Sequence, residues 1–144
     1  KEADPELVRA EAPIDYAPKQ LRSSSDLACN TRVNLINVYF EDNSASYAGR
    51  VEALKTIQIV IDYMRYYPEA HIILHGHTDI HGSAINNLEL SKKRVLAVRN
   101  TLVTRGIDAD RIKYIAHGDA QPLLGKSKGN KRNRRVEVEV VCNQ

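Results

Sequence analysis

The chain has 144 residues, 42% of them hydrophobic, with a formal net charge of +3. That length suits one domain with a sizeable core, and the charge is too small to mark a nucleic-acid binder. With one Phe, no Trp and seven Tyr, a base-stacking platform would have to rest on the tyrosines. No run of about eighteen apolar residues exists, so no membrane span is expected, and no signal peptide is visible. The chain begins at Lys1 rather than Met, which reads as a fragment, with any membrane anchor lying outside it.

Residues 1–28 read as an irregular arm or linker, broken by Pro5, Pro13, Pro18 and the run Ser23-Ser24-Ser25. Residues 29–144 read as the folded domain. Val33 to Phe40 is a nearly all-apolar strand, of the kind covered on both faces. Glu41 to Ser44 turns the chain, and a helix is predicted from about Tyr47 to Tyr67. Val51, Leu54, Ile57, Ile61 and Met64 draw its apolar face, and Pro68 stops it. A second strand covers His71 to Gly76. A polar loop, His77 to Gly82, leads to a second helix from about Asn86 to Arg105. Leu88, Val95, Val98 and Leu102 form its buried stripe, and Gly106 caps it. Arg111 to His117 is a third strand, Gly118 to Pro122 a turn, and Gly125 to Arg132 a basic loop. In the last strand, Val136 to Val141, valines alternate with glutamates, which predicts a valine face inward and a glutamate face in solvent. The order β-α-β-α-β-loop-β predicts an α/β two-layer sandwich, a mixed four-stranded sheet with two long helices.

The chemistry concentrates where the second strand meets the second helix. Asn87, Ser91, Arg94 and Val98 are spaced four, three and four apart and share one stripe. The stripe starts at the helix N-terminus, where backbone N–H groups are free. Asp79 in the loop and Arg94 in the stripe can flank a small cavity suited to a zwitterion. An ordinary surface ion pair between them is the commoner arrangement. The cluster His75, His77, Asp79, His81 approximates a zinc-hydrolase motif, since His75 and His77 share a strand side and zinc accepts imidazole and carboxylate. One residue separates Asp79 from His81, where that motif has the two adjacent. No G-x-S-x-G elbow is present, so nucleophilic catalysis has little support.

Cys29 and Cys142 fit no C-x-x-C motif, which removes zinc-ribbon and thioredoxin readings. They pair if the first and last strands are neighbours, and are otherwise two separate buried thiols. The basic residues Lys126, Lys128, Lys131, Arg132, Arg134 and Arg135 read as a solvated loop more readily than as a site for an anionic polymer. Arg134 and Arg135 adjoin a strand start, so one of them is a candidate to turn inward.

Residues 33 to 141 resemble the peptidoglycan-associating domain of OmpA-like proteins. The matching pieces are Gly76-His77-Thr78-Asp79 with Gly82, Asn87-x-x-Leu90-Ser91-x-x-Arg94, Gly106-Ile107, Arg111-Ile112, Gly118-x-x-x-Pro122 and Asn133-Arg134-Arg135-Val136-Glu137. The family includes outer-membrane porin-like proteins, peptidoglycan-associated lipoproteins and flagellar stator proteins. The resemblance implies a binding module of the bacterial periplasm, without catalysis or cofactor. Its partner would be the diaminopimelate of the peptidoglycan stem, held by Asp79 and Arg94. Thr78 and Asn87 would support the pocket, with Phe40, Asn43 and Arg135 assigned to it as well. Other envelope proteins would be further partners, and no nucleic acid. A periplasmic home also favours the Cys29–Cys142 disulfide.

Overall fold

The computed structural model describes residues 18–40, 44–79, 83–121 and 133–142. Five strands and two long helices follow in the order β1 (Lys19–Leu21), β2 (Arg32–Tyr39), α1 (Arg50–Tyr66), β3 (His71–Gly76), α2 (Ala84–Thr104), β4 (Ile112–Ala116) and β5 (Arg135–Val141). The α/β layering is as expected, but the sheet has five strands rather than four. The extra strand lies within the segment read as irregular. Lys19, Gln20 and Leu21 pair parallel with Val33, Asn34 and Leu35, and Leu21 is fully buried. Three residues are too few for a hydrophobic period to betray a strand; pairing with β2 makes it one.

The strand order is β1-β2-β5-β3-β4. β1 runs parallel to β2 and β3 to β4, and β5 runs antiparallel between β2 and β3. Four strands therefore point one way, and their carboxyl ends share one edge with the start of β5. Both helices pack on one face. Val33, Leu35, Ile72, Leu74, Val136, Val138 and Val140 from the strands meet Ile57, Ile61, Met64, Val95, Val98 and Leu102 from the helices. Each such side chain contributes on the order of 1.5–3 kcal/mol by leaving water. Two expected members of the helix stripes are not in this core: Val51 is 67% exposed and Leu88 45%. Val51 is the second residue of α1 and Leu88 the fifth of α2.

The expected solvent-facing glutamates are the larger correction. Glu137 is fully buried and Glu139 is 8% exposed, because the opposite face of the sheet carries its own charged partners, described below. Cys29 and Cys142 form a disulfide, with Cα atoms 5.5 Å apart. It ties the segment before β2 to the end of β5, and closes a loop of 113 residues.

Candidate functional site

The carboxyl edge of the parallel strands gathers the residues of interest, as open α/β sheets usually do. Phe40 follows β2. Thr78 and Asp79 follow β3. His117 to Gln121 follow β4, and Asn133 and Arg134 precede β5. α2 starts over the same edge, with the Ser83 hydroxyl accepting from the Asn86 N–H at 3.1 Å. Gly76 explains how close the helix comes. A Cβ there would lie 2.4 Å from the Ser91 carbonyl oxygen, so any side chain would lift α2 off β3.

Asp79 and Arg94 are both deeply buried, at 5% and 1% exposed, so they are not an ordinary surface ion pair. Arg134 Nε donates to Asp79 Oδ2 at 3.0 Å. Arg94 Nε donates to the Ser44 carbonyl at 2.8 Å, and its guanidinium carbon sits 5.4 Å from the centre of the Phe40 ring. That is cation–π range. A buried guanidinium is tolerable only with such partners. The Asp79 loop is joined to the helix stripe through one turn. The Thr78 N–H donates to the Gly118 carbonyl at 2.8 Å. The Gly118 N–H donates to Ser91 Oγ at 2.9 Å, and the Ser91 hydroxyl donates to the Leu88 carbonyl at 2.8 Å. Asn87 Nδ2 donates to Asp119 Oδ2 at 2.9 Å.

Asp79, Arg94, Thr78, Asn87 and Phe40 thus come to one edge of the molecule. Asn43 lies outside the described residues, as do His81 and Lys126, Lys128, Lys131 and Arg132 of the basic loop. Arg135 is not brought to Asp79. Its Nε donates to Glu137 Oε2 at 2.7 Å, Nη1 to Asn133 Oδ1 at 3.3 Å and Nη2 to the Gln121 carbonyl at 2.8 Å. The guanidinium at Asp79 belongs to Arg134, one residue earlier. Neighbouring residues at a strand start point to opposite sides, and adjacency alone does not say which goes where. Ser44 and Asp119 were also missed as site residues, and only the Gly118-x-x-x-Pro122 signature hinted at the second.

Beneath this edge, on the face of the sheet away from the helices, lies a buried polar cluster. The His117 ring centre is 5.1 Å from that of His75 and 4.9 Å from that of His77, both with planes within 11°. His75 Nε2 is 2.9 Å from Glu139 Oε1, and its Nδ1 is 2.8 Å from His117 Nε2. A carboxylate only accepts, so His75 donates from Nε2 to Glu139. Its Nδ1 shares a hydrogen bond with His117 Nε2, which Arg32 Nη2 also approaches at 3.3 Å. Arg32 Nη2 donates to Gln121 Oε1 at 2.7 Å and lies 3.2 Å from Glu137 Oε1. His77 Nε2 lies 3.3 Å from the same Glu137 oxygen. Burial, helped by the Arg135 charge, pushes His77 down to about 3. Burial and the neighbouring imidazoles push His117 down to about 2. Burial also lowers His75. Burial alone would raise Glu137; contact with His77, Arg135 and Arg32 carries it well below the usual carboxylate range. All three imidazoles are therefore neutral at pH 7, and the net charge of the cluster is balanced between arginines and glutamates.

The zinc reading finds no support in this geometry. His75 spends both ring nitrogens on Glu139 and His117, Asp79 is held by Arg134, and near-parallel rings do not aim lone pairs at one point. Among the described residues, no three His, Cys, Asp or Glu side chains are arranged to hold a metal.

The pattern that defines the OmpA family matches residues 39–135. Outer membrane porin F of Pseudomonas aeruginosa is 36% identical over 87 residues, which is 58% of this chain and 25% of that protein. A peptidoglycan-associated lipoprotein of Agrobacterium fabrum is 33% identical over 86 residues, 60% of this chain and 48% of that protein. The chain thus spans a quarter to about half the length of these curated relatives. The crystal structure of a peptidoglycan-associated lipoprotein from Burkholderia pseudomallei superposes with a TM-score of 0.63 at 28% identity, covering 72% of this chain and 87% of that one.

Proposed function

Since the chain belongs to the OmpA family, we propose that it binds cell-wall peptidoglycan non-covalently and without turnover, through the diaminopimelate of a peptide stem. It thereby anchors an envelope protein or complex to the wall from the bacterial periplasm. Relatives named as peptidoglycan-associated lipoproteins support the partner. One observation carries the chemistry: an aspartate and an arginine, both almost wholly buried, stand at one edge of the sheet, tied together through Gly118 and Ser91. A free amino-acid head group presents an ammonium and a carboxylate side by side. Asp79 takes the ammonium, joining the ion pair it makes with Arg134. Arg94 takes the carboxylate with its planar fork, already oriented by Ser44 and Phe40. Thr78 and Asn87 hold the walls.

Sedimentation with purified peptidoglycan tests this. Removing one side of a buried charge contact costs on the order of 2–5 kcal/mol of binding, so Asp79→Ala and Arg94→Ala each abolish pull-down. Arg94→Lys binds poorly, because an ammonium cannot make the two-pronged contact. Free diaminopimelate should titrate saturably onto wild type and onto neither alanine variant. Unchanged binding in Asp79→Ala, or easy release by salt, would show a general attraction to an anionic polymer instead.

A further inference from the structure

His117 occupies a singular place between the buried cluster and the pocket. Its ring lies under the sheet between His75 and His77, with Nε2 hydrogen-bonded to His75 Nδ1 at 2.8 Å. Its backbone is the last residue before the turn that organises the site. The His117 N–H donates to the Gly76 carbonyl at 2.9 Å, so the side chain and the main chain are both fixed to β3. The next residue, Gly118, uses both of its peptide groups on the pocket. Its carbonyl accepts from Thr78, beside Asp79, and its N–H donates to Ser91, one turn before Arg94. Asp119 then holds Asn87. Gly118 has φ +61, and a Cβ there would come within 3.3 Å of Leu88 Cα and N. The turn is therefore seated against the α2 backbone with no room to drift inward. The residue before it ties the start of the turn to β3.

We propose that His117 is the positioning residue of the wall-binding pocket: its ring, seated between His75 and His77, sets the place of the Gly118–Asp119 turn, which holds Thr78 beside Asp79 and Ser91 and Asn87 on the Arg94 stripe. That role presupposes the peptidoglycan reading, and it touches no ligand directly. The groups that face the ring are His75 of β3, His77 just after that strand, Arg32 of β2 and Glu137 of β5, with Gln121 beyond Arg32. The ring acts through its shape and through the contacts of Nε2 with His75 Nδ1 and Arg32 Nη2. A phenyl ring keeps the shape; a methyl group keeps neither.

The experiment compares His117→Ala and His117→Phe with wild type in the intact chain, with two readouts. The first needs no ligand: amide hydrogen exchange of Thr78 and Gly118, with Leu74 and Val138 as core references. The second is the Kd for free diaminopimelate. His117→Ala should raise exchange at Thr78 and Gly118 about tenfold or more while the references hold, and weaken binding about tenfold or more, as a displaced site does. His117→Phe should restore protection at both amides and a Kd within about threefold of wild type, even though it leaves His75 Nδ1 without its His117 partner and melts earlier. A purely structural role would lower stability in both variants and leave the two amides alone. A folded His117→Ala with wild-type exchange and affinity overturns the proposal. If that variant does not fold, His117→Phe decides, since loss of protection or of binding with the ring in place overturns it. Should wild type itself bind no diaminopimelate, the functional reading falls, and the exchange data alone judge the positioning role.

Discussion

On the helix side of the sheet, Val33, Leu35, Leu74, Val136 and Val138 meet a wall of Ile, Val, Leu and Met. On the other side, Arg32, His75, His77, Arg135, Glu137 and Glu139 meet mainly one another. Both faces are buried to a similar degree, but by different physics. Dispersion and the hydrophobic effect are non-directional, so the first face tolerates a change of shape that keeps volume. Buried charges and imidazoles need specific partners and protonation states, so the second face fails when any one member is lost.

The sharpest break in that comparison is Glu137→Gln. The shape survives, but Arg135, Arg32 and His77 lose the carboxylate they share. Breaking a buried pair costs roughly 3–5 kcal/mol, and urea unfolding should show a loss of that order. Acid is next. His77 is held neutral well below its ordinary 6.5, at about 3, so below pH 6.5 the unfolded chain binds a proton that the folded chain refuses. Stability is then complete above pH 6.5 and falls as pH drops towards 3, by about 2 kcal/mol from His77 alone on reaching pH 5. Glu137, depressed below its ordinary 4.5, adds a second loss with the same sign once pH falls under 4.5. Melting curves from pH 8 to 4 should show both, and a flat profile would mean that the imidazoles are not buried neutral.

Leu74→Met, on the helix face, is the volume-conserving counterpart of Glu137→Gln and should cost under about 1.5 kcal/mol. A cost equal to that of Glu137→Gln would erase the distinction between the two faces. Smallest of all is Lys55→Ala on the outer surface of α1. Its pair with Glu52, at 3.8 Å, leaves both side chains more than half exposed, and its removal should change stability by less than about 0.5 kcal/mol.

Much of this was legible along the chain because it depends on neighbours in sequence. The long apolar strand Arg32–Tyr39, the stripe of Ile57, Ile61 and Met64 and the helix stop before Pro68 follow from period and steric rules. So does the Asn87–Ser91–Arg94 alignment, which needs only 3.6 residues per turn. The residues alone leave the Cys29–Cys142 pairing open, the resemblance to a periplasmic family favours it, and the folded chain forms it. Other features could not be read this way. Lys19–Leu21 becomes a strand only because β2 offers it an edge. The alternation of valine and glutamate in β5 gives two faces, but says nothing of what each meets.

By itself, the sequence determined the α/β class, the two amphipathic helices and the alignment of Asn87, Ser91 and Arg94 on one stripe, since periodicity is local. Tertiary structure alone decided that the glutamate face is buried, that Arg134 rather than Arg135 reaches Asp79, and that His117 stands between His75 and His77. Each of these depends on what a distant strand brings to the other side of a side chain. A buried charge is stable only where such a partner arrives, so its place is set by the completed sheet.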